Sequence, residues 1–280
     1  MDPRLEAAIE RGFDPQAVYD PDLTEVKEPM KTILEKYSNI PENEVLSHIN
    51  RLRNRAFSIY PYVCVGSFAF AETKIHLLPC YNEILERIKS GQKFLDLGCG
   101  FGQEIRKLVY DGIPSGNTFG VDLHLKFVDL GYELFRDRSS LRTEFIAADI
   151  LEDASDLVSK LTGQIDIIYA ALILHHFTWE QQITVAKRIV SLLCPKPGSM
   201  IVGRNVAYRD SNQMDEIAKI QNIKPFHHDQ ASWERLWQQV QEDSESEWKF
   251  ETWEQPDDWF ESRPLWKDTS YYLCFSFRRL

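Results

Sequence analysis

From Lys93 to Arg204 the chain alternates without a break between short apolar runs and helix-spaced segments. The apolar runs fall at 94–97, 118–123, 144–148, 165–171 and 200–204. Helical spacing occupies 103–110, 127–135, 154–161 and 179–193, the last stopped by Pro195, Pro197 and Gly198. Such alternation builds βαβ units, so the expected class is α/β, with a mostly parallel sheet covered by helices on both faces.

The flanks read differently. Pro3, Pro15, Pro21, Pro29 and Pro41 punctuate the start, and roughly the first twenty residues are expected as an extended arm. A helix is expected over 41–55, where Val45, Ile49 and Leu52 share one face, and another over 79–89, with Gly91 as its stop. The stretch 60–70 is aromatic and too irregular for a strand. Residues 1–90 thus read as an arm and helical cap or lid, and 91–280 as the main domain. Beyond Arg204, helices are expected at 213–220 and 232–240, the second with Trp233, Leu236, Trp237 and Val240 in one stripe. Part of this region, about 205–245, is expected to form a substrate-binding insertion. Strands are expected at 247–253 and 270–277.

Composition removes several classes. The chain has 280 residues, enough for a full core without disulfides or a structural metal. Its formal net charge is −11 and no Lys/Arg run stands out, so nucleic acid is not an expected partner. Cys64, Cys80, Cys99, Cys194 and Cys274 form no C-x-x-C pair, which fits a reducing, cytoplasmic setting and no metal site. The start shows no apolar signal-peptide core, and the longest uninterrupted apolar stretch, 167–174, is far below the roughly 20 residues of a membrane span.

The sharpest motif is FLDLGCGFG, 94–102. Gly98, Gly100 and Gly102 sit between a strand and a helix, where glycine permits φ > 0 and close approach of a ligand to the backbone. A phosphate-cradling loop needs a Lys-Ser/Thr pair that is absent, and the third glycine of a dinucleotide fingerprint would fall on Gln103. A tight turn with no ligand is the plain alternative. The spacing present is G-x-G-x-G with Asp96 two residues ahead. Asp122 and Asp149 end the second and third strands, with Leu123 and Ile150 following. As plain structure, Asp122 reads as a helix N-cap and Asp149 as a turn residue.

The loop resembles motif I of class I S-adenosylmethionine-dependent methyltransferases. The resemblance implies a Rossmann-like seven-stranded, mostly parallel sheet with an antiparallel last strand, formed here by 271–277. It also implies roles. Asp96 and the loop would surround the methionine end of a cationic cofactor, for which a carboxylate is apt where a phosphate would be repelled. Asp122 would accept the ribose hydroxyls and Leu123 would pack on adenine. Asp149 would accept the adenine amino group, Ile150 would add a backbone amide and an apolar wall, and Ala170 on the fourth strand would lie by the methionine moiety.

Within the superfamily the chain is most similar to fungal meroterpenoid methyltransferases, through 95–112, 119–138, 145–150 and 186–204. That likeness implies methyl-ester formation on a carboxyl group of a hydrophobic, prenylated polyketide acid. A carboxylate is already ionised at neutral pH and needs alignment more than a base, whereas a phenol needs a base. His175 and His176, after the fourth strand, are candidates to orient or deprotonate the acceptor, and Arg204 to clamp a carboxylate. The bland reading has one histidine capping the turn before Trp179 and the other packed. His227 and His228 suggest a metal only faintly. Tyr60, Tyr62, Phe68, Phe70 and six tryptophans after residue 230 are either pocket lining or core. A phenolic, N- or C-acceptor, or a non-catalytic cofactor binder, are the alternatives, and a homodimer docking through the aromatic N-terminal segment is a further expectation.

Overall fold

The computed structural model describes residues 14–209, 225–255, 260 and 268–280. Seven strands form one sheet in the order β3-β2-β1-β4-β5-β7-β6. They are β1 (Phe94–Leu97), β2 (Thr118–Asp122), β3 (Glu144–Ala147), β4 (Ile167–Ala171), β5 (Met200–Tyr208), β6 (Trp248–Gln255) and β7 (Ser270–Arg279). β1 pairs with β4, β2 with β3 and β4 with β5 in parallel, while β7 runs antiparallel to both β5 and β6. The α/β class and the antiparallel last strand are as expected.

The chain divides into two compact units. The first holds the described residues up to 91 together with 99–147, and the second holds 92–98 and the described residues from 148 on.

In the first unit, α1 (Glu42–Ile59) runs four residues past the expected end at 55. Ala56 is buried, and Phe57 and Ile59 pack against the same apolar cluster, so tertiary burial extends the helix. That cluster gathers Met30, Ile33, Leu34, Ile49 and Leu52 with Phe101, Phe127 and Leu134. Phe70 stacks on Phe101 at 4.3 Å, so Phe68 and Phe70 are core residues here, not pocket lining. The 60–70 stretch forms a short helix at Val63–Gly66 and a 3-10 turn at Ala69–Ala71, consistent with its lack of strand pattern. Within the expected extended arm, Pro15–Val18 is a 3-10 turn capped by Asp14. The unit also contains α2 (Tyr81–Lys89), α3 (Gln103–Tyr110) and α4 (Leu125–Phe135).

The second unit holds α5 (Asp156–Leu161), α6 (Trp179–Leu192) and α7 (Gln230–Asp243). β5 continues to Tyr208, four residues beyond the expected end at 204. Parallel pairing with β4 stops at Ala171 opposite Arg204, but β7 pairs with all nine residues of β5 and sustains it. Trp233, Leu236, Trp237 and Val240 are buried, with Trp233 5.0 Å from Phe275 and Trp237 4.8 Å from Phe277, so these two tryptophans fill the core. The expected helix at 213–220, and Trp259 and Trp266, lie outside the described residues. No helix among the described residues is long and apolar enough to cross a membrane.

Candidate active site

In the first unit the glycine loop is held by main-chain and guanidinium contacts. The amide of Cys99 donates to the carbonyl of Val121 at 2.9 Å, tying the loop to β2. Gly100 has φ +53° and Gly102 φ +66°, the left-handed region that L side chains rarely adopt. A Cβ at Gly100 would meet nothing within 4 Å, so that face of the loop is open to a ligand. A Cβ at Gly102 would lie 2.5 Å from the Arg106 guanidinium. That guanidinium donates to the Phe101 carbonyl at 2.8 Å and pairs with buried Asp137 at 2.9 Å, which fixes the entry into α3.

Asp122 ends β2 beside this loop. Its Oδ2 accepts from the Gly100 amide at 2.9 Å and its Oδ1 from the His124 amide at 2.9 Å. The helix N-cap position belongs to His124, so Asp122 forms an Asx turn ahead of α4 instead of capping it. Burial raises the Asp122 pKa, and the amides of His124 and Gly100 act in the opposite direction. Each carboxylate oxygen keeps a second lone pair for a ligand hydroxyl. Leu123 is 39% exposed. Tyr60 and Tyr62 bring their rings within 6.0 and 6.3 Å of His124, so part of the expected N-terminal aromatic set does reach the Asp122 end.

In the second unit, Asp96 is buried on β1 opposite Tyr169, and Gly98 (φ +76°) faces Ile173, whose Cδ1 would lie 3.3 Å from an added Cβ. Ala170 and Ile150 are buried. Asp149 Oδ1 accepts from the Leu151 amide at 2.9 Å, the turn role open to it from sequence, which leaves its other oxygen available.

His175 and His176 follow β4 with ring centroids 4.1 Å apart. Neither caps α6: Thr178 does so, in a capping box with Gln181. The His175 amide donates to Asn205 Oδ1 at 3.2 Å, which fixes that oxygen as an acceptor. The 3.2 Å contact between Asn205 Oδ1 and His175 Nδ1 then requires Nδ1 to carry the proton and leaves the lone pair on Nε2. Burial pushes His175 well below the ordinary histidine range, helped by His176 and His227, and pushes His176 down to about 4. Both are neutral at pH 7.

Arg204 is separated from this group. Successive side chains of a strand point to opposite faces, so Asn205 meets His175 while the buried Arg204 guanidinium lies 4.3 Å over the Tyr272 ring. Sequence reasoning missed Asn205, since an asparagine inside a strand carries no motif. His227 and His228 also part company. His228 Nε2 bonds Gln182 Oε1 at 2.7 Å and its Nδ1 faces Ser232 Oγ at 3.1 Å, a packed structural histidine. No metal-binding group of three histidine, cysteine or acidic side chains occurs among the described residues.

The comparisons with known proteins agree with this anatomy. A model of the meroterpenoid methyltransferase N-terminal domain matches residues 18–71, and a methyltransferase-domain model matches 94–196. The chain is 49% identical over 278 residues to Methyltransferase adrK of Penicillium roqueforti, covering 99% of each protein. The chain belongs to the fungal meroterpenoid methyltransferases. Another member, the Asnovolin E/Chermesin D methyltransferase nvfJ of Aspergillus novofumigatus, is 49% identical over 257 residues, covering 92% of this chain and 91% of that one. Among solved structures, Haemonchus contortus phosphoethanolamine N-methyltransferase 2 with S-adenosylhomocysteine matches with TM-score 0.53 at 15% identity, over 81% of this chain and 60% of that one. That likeness is one of fold, the S-adenosylmethionine-dependent methyltransferase fold. This meroterpenoid methyltransferase is therefore an enzyme with the fold of the S-adenosylmethionine-dependent methyltransferases.

Proposed function

We propose that the enzyme transfers a methyl group to a carboxylate oxygen of a hydrophobic terpenoid or polyketide acid, giving a methyl ester. One observation carries this reading: the histidines at the end of β4 are held neutral, His175 well below its usual range and His176 at about 4. A general base works best with a pKa near the operating pH, and bases this weak do little for a phenol. An acceptor that arrives already ionised needs no base, only alignment and exclusion of water. Asn205, His175 and His176 form a polar set with no carboxylate among them to repel an anionic acceptor.

The cofactor supplies an electrophilic methyl group on a sulfonium. The residues fit it: an acid flanks the loop at Asp96, Gly98, Gly100 and Gly102 bring bare backbone, and Asp122 and Leu123 offer a carboxylate and an apolar face. In this reading Asp122 binds the ribose hydroxyls, Leu123 and Ile150 hold adenine, Asp149 accepts from its amino group, and Asp96 and Ala170 serve the methionine end. His175 and His176 orient the acceptor, and Arg204 acts as a positioning residue through Tyr272. Residues 1–90 act as the acceptor-selective cap. The support is that a domain model particular to meroterpenoid methyltransferases covers 18–71, while a general methyltransferase model covers 94–196. A homodimer through the aromatic N-terminal segment, with the roughly 40%-exposed Val63 on its surface, is part of the same proposal. Sedimentation tests it.

A second reading, a phenolic acceptor, draws on the free Nε2 lone pair that Asn205 leaves on His175. Turnover against pH separates the two. A carboxylate acceptor predicts a rate nearly independent of pH between about 6 and 9, while a phenol predicts a rate that climbs with pH as the hydroxyl ionises.

A further inference from the structure

His227 is a buried polar side chain that the cofactor and histidine assignments above leave unused. It is 5% exposed, and neither ring nitrogen has a hydrogen-bond partner among the described residues. Its neighbour His228 is bonded at both nitrogens, so the contrast lies in the site and not in the segment. The His227 ring stacks on Tyr208 at 5.1 Å, which fixes its plane, and lies edge-on to His175 at 6.4 Å. Asn205 adds a second such group. It is 1% exposed, its Oδ1 is engaged by His175, and its Nδ2 has no partner among the described residues. Buried polar atoms are almost always satisfied, and an exception asks for an explanation. Two exceptions flanking one histidine, at the end of β4 and along β5, share one explanation: their partner is the acceptor.

We propose that Asn205 Nδ2 and the His227 ring form the hydrogen-bonding anchor for the acceptor's reacting oxygen group, with His175 between them as the orienting residue. Asn205 brings two N–H donors and neutral His227 one. Both are uncharged, so they can hold a carboxylate in line without quenching its nucleophilicity as a close ion pair would. The ligand class is an oxygen acid or hydroxyl on a lipophilic body. This inference rests on the methyl-ester reading for the charge of that oxygen, but not for its position.

Calorimetric binding of two probes to the full chain saturated with S-adenosylhomocysteine tests it: a prenylated aromatic carboxylic acid, and the matching phenol without the carboxyl. The variants are His227→Phe, which keeps the Tyr208 stack but has no N–H, and His227→Gln, which restores one. The expected result is acid binding weakened about tenfold to a hundredfold in His227→Phe, substantial recovery in His227→Gln, and unchanged S-adenosylhomocysteine affinity in both. Asn205→Leu should weaken the acid similarly. If His227→Phe binds the acid like the wild type, the anchor assignment is wrong and the methyl-ester reading stands. If the wild type binds only the phenol and His227→Phe loses it, the anchor stands and the methyl-ester reading falls. If the wild type captures neither probe, the anchor is overturned.

Discussion

The Asp122 end and the histidine end of this enzyme solve opposite problems. Asp122 is a half-buried acid whose two oxygens are each held by a backbone amide, from Gly100 and His124. His175, His176 and His227 are bases made neutral by the same loss of water, and the His227 ring nitrogens have no hydrogen-bond partner among the described residues. In the proposed reading the first arrangement takes hydroxyls of a cationic ligand, and the second takes an oxygen that brings its own charge. Desolvation acts at both ends, and the difference lies in what the backbone supplies.

Removing the preorganised acid should have the largest effect. Asp122→Ala should cost S-adenosylmethionine binding about 3 kcal/mol, on the order of a hundredfold in Kd, because a carboxylate accepting two hydroxyls makes two charge-assisted bonds. Calorimetry checks it, and a Kd within threefold of wild type would show the two ends to be less different than described.

Gly102→Ala attacks the same end through the backbone. A left-handed alanine costs about 1–2 kcal/mol, and its Cβ would also displace the Arg106 guanidinium from the Phe101 carbonyl. A loss of about 2–3 kcal/mol in unfolding stability is expected, measured by denaturant titration.

At the other end, His175→Phe should lower kcat about tenfold while leaving cofactor Kd unchanged, since only acceptor alignment is disturbed. An equal loss in cofactor binding would erase the contrast.

A separate readout is stability against pH. His176 and His227 at about 4 and His228 at about 3 bind fewer protons folded than unfolded, where histidine titrates near 6.5. Stability therefore rises with pH across that window and is lost as pH falls from about 6.5 toward 4. Thermal melts between pH 7 and 4.5 should show a falling Tm, and His227→Phe should make the fall shallower.

The two ends also differ in how far the sequence exposes them. The loop and Asp122 were legible because their chemistry is local: glycines at fixed spacing, an acid at the end of a strand about 20 residues on, strands read from short apolar runs. Asn205 and His227 were not, because their meaning comes from pairing. β5 is carried past Arg204 by β7, which places Asn205 on the face opposite Arg204 and next to His175. His227 gains its role from a stack on Tyr208 and from lacking the partners that His228 has. The same long-range packing turned Phe70, Trp233 and Trp237 into core, a choice that composition alone left open.

One product analysis decides the central claim. A prenylated aromatic acid bearing both a carboxyl and a phenol is incubated with the enzyme and S-adenosylmethionine, and the product is weighed before and after mild alkaline hydrolysis. The expected outcome is a gain of one methylene that alkali removes, marking a methyl ester formed at a rate level across neutral pH. A methylene that survives alkali, formed faster as pH rises, would place the methyl on the phenol and contradict an acceptor that needs no base.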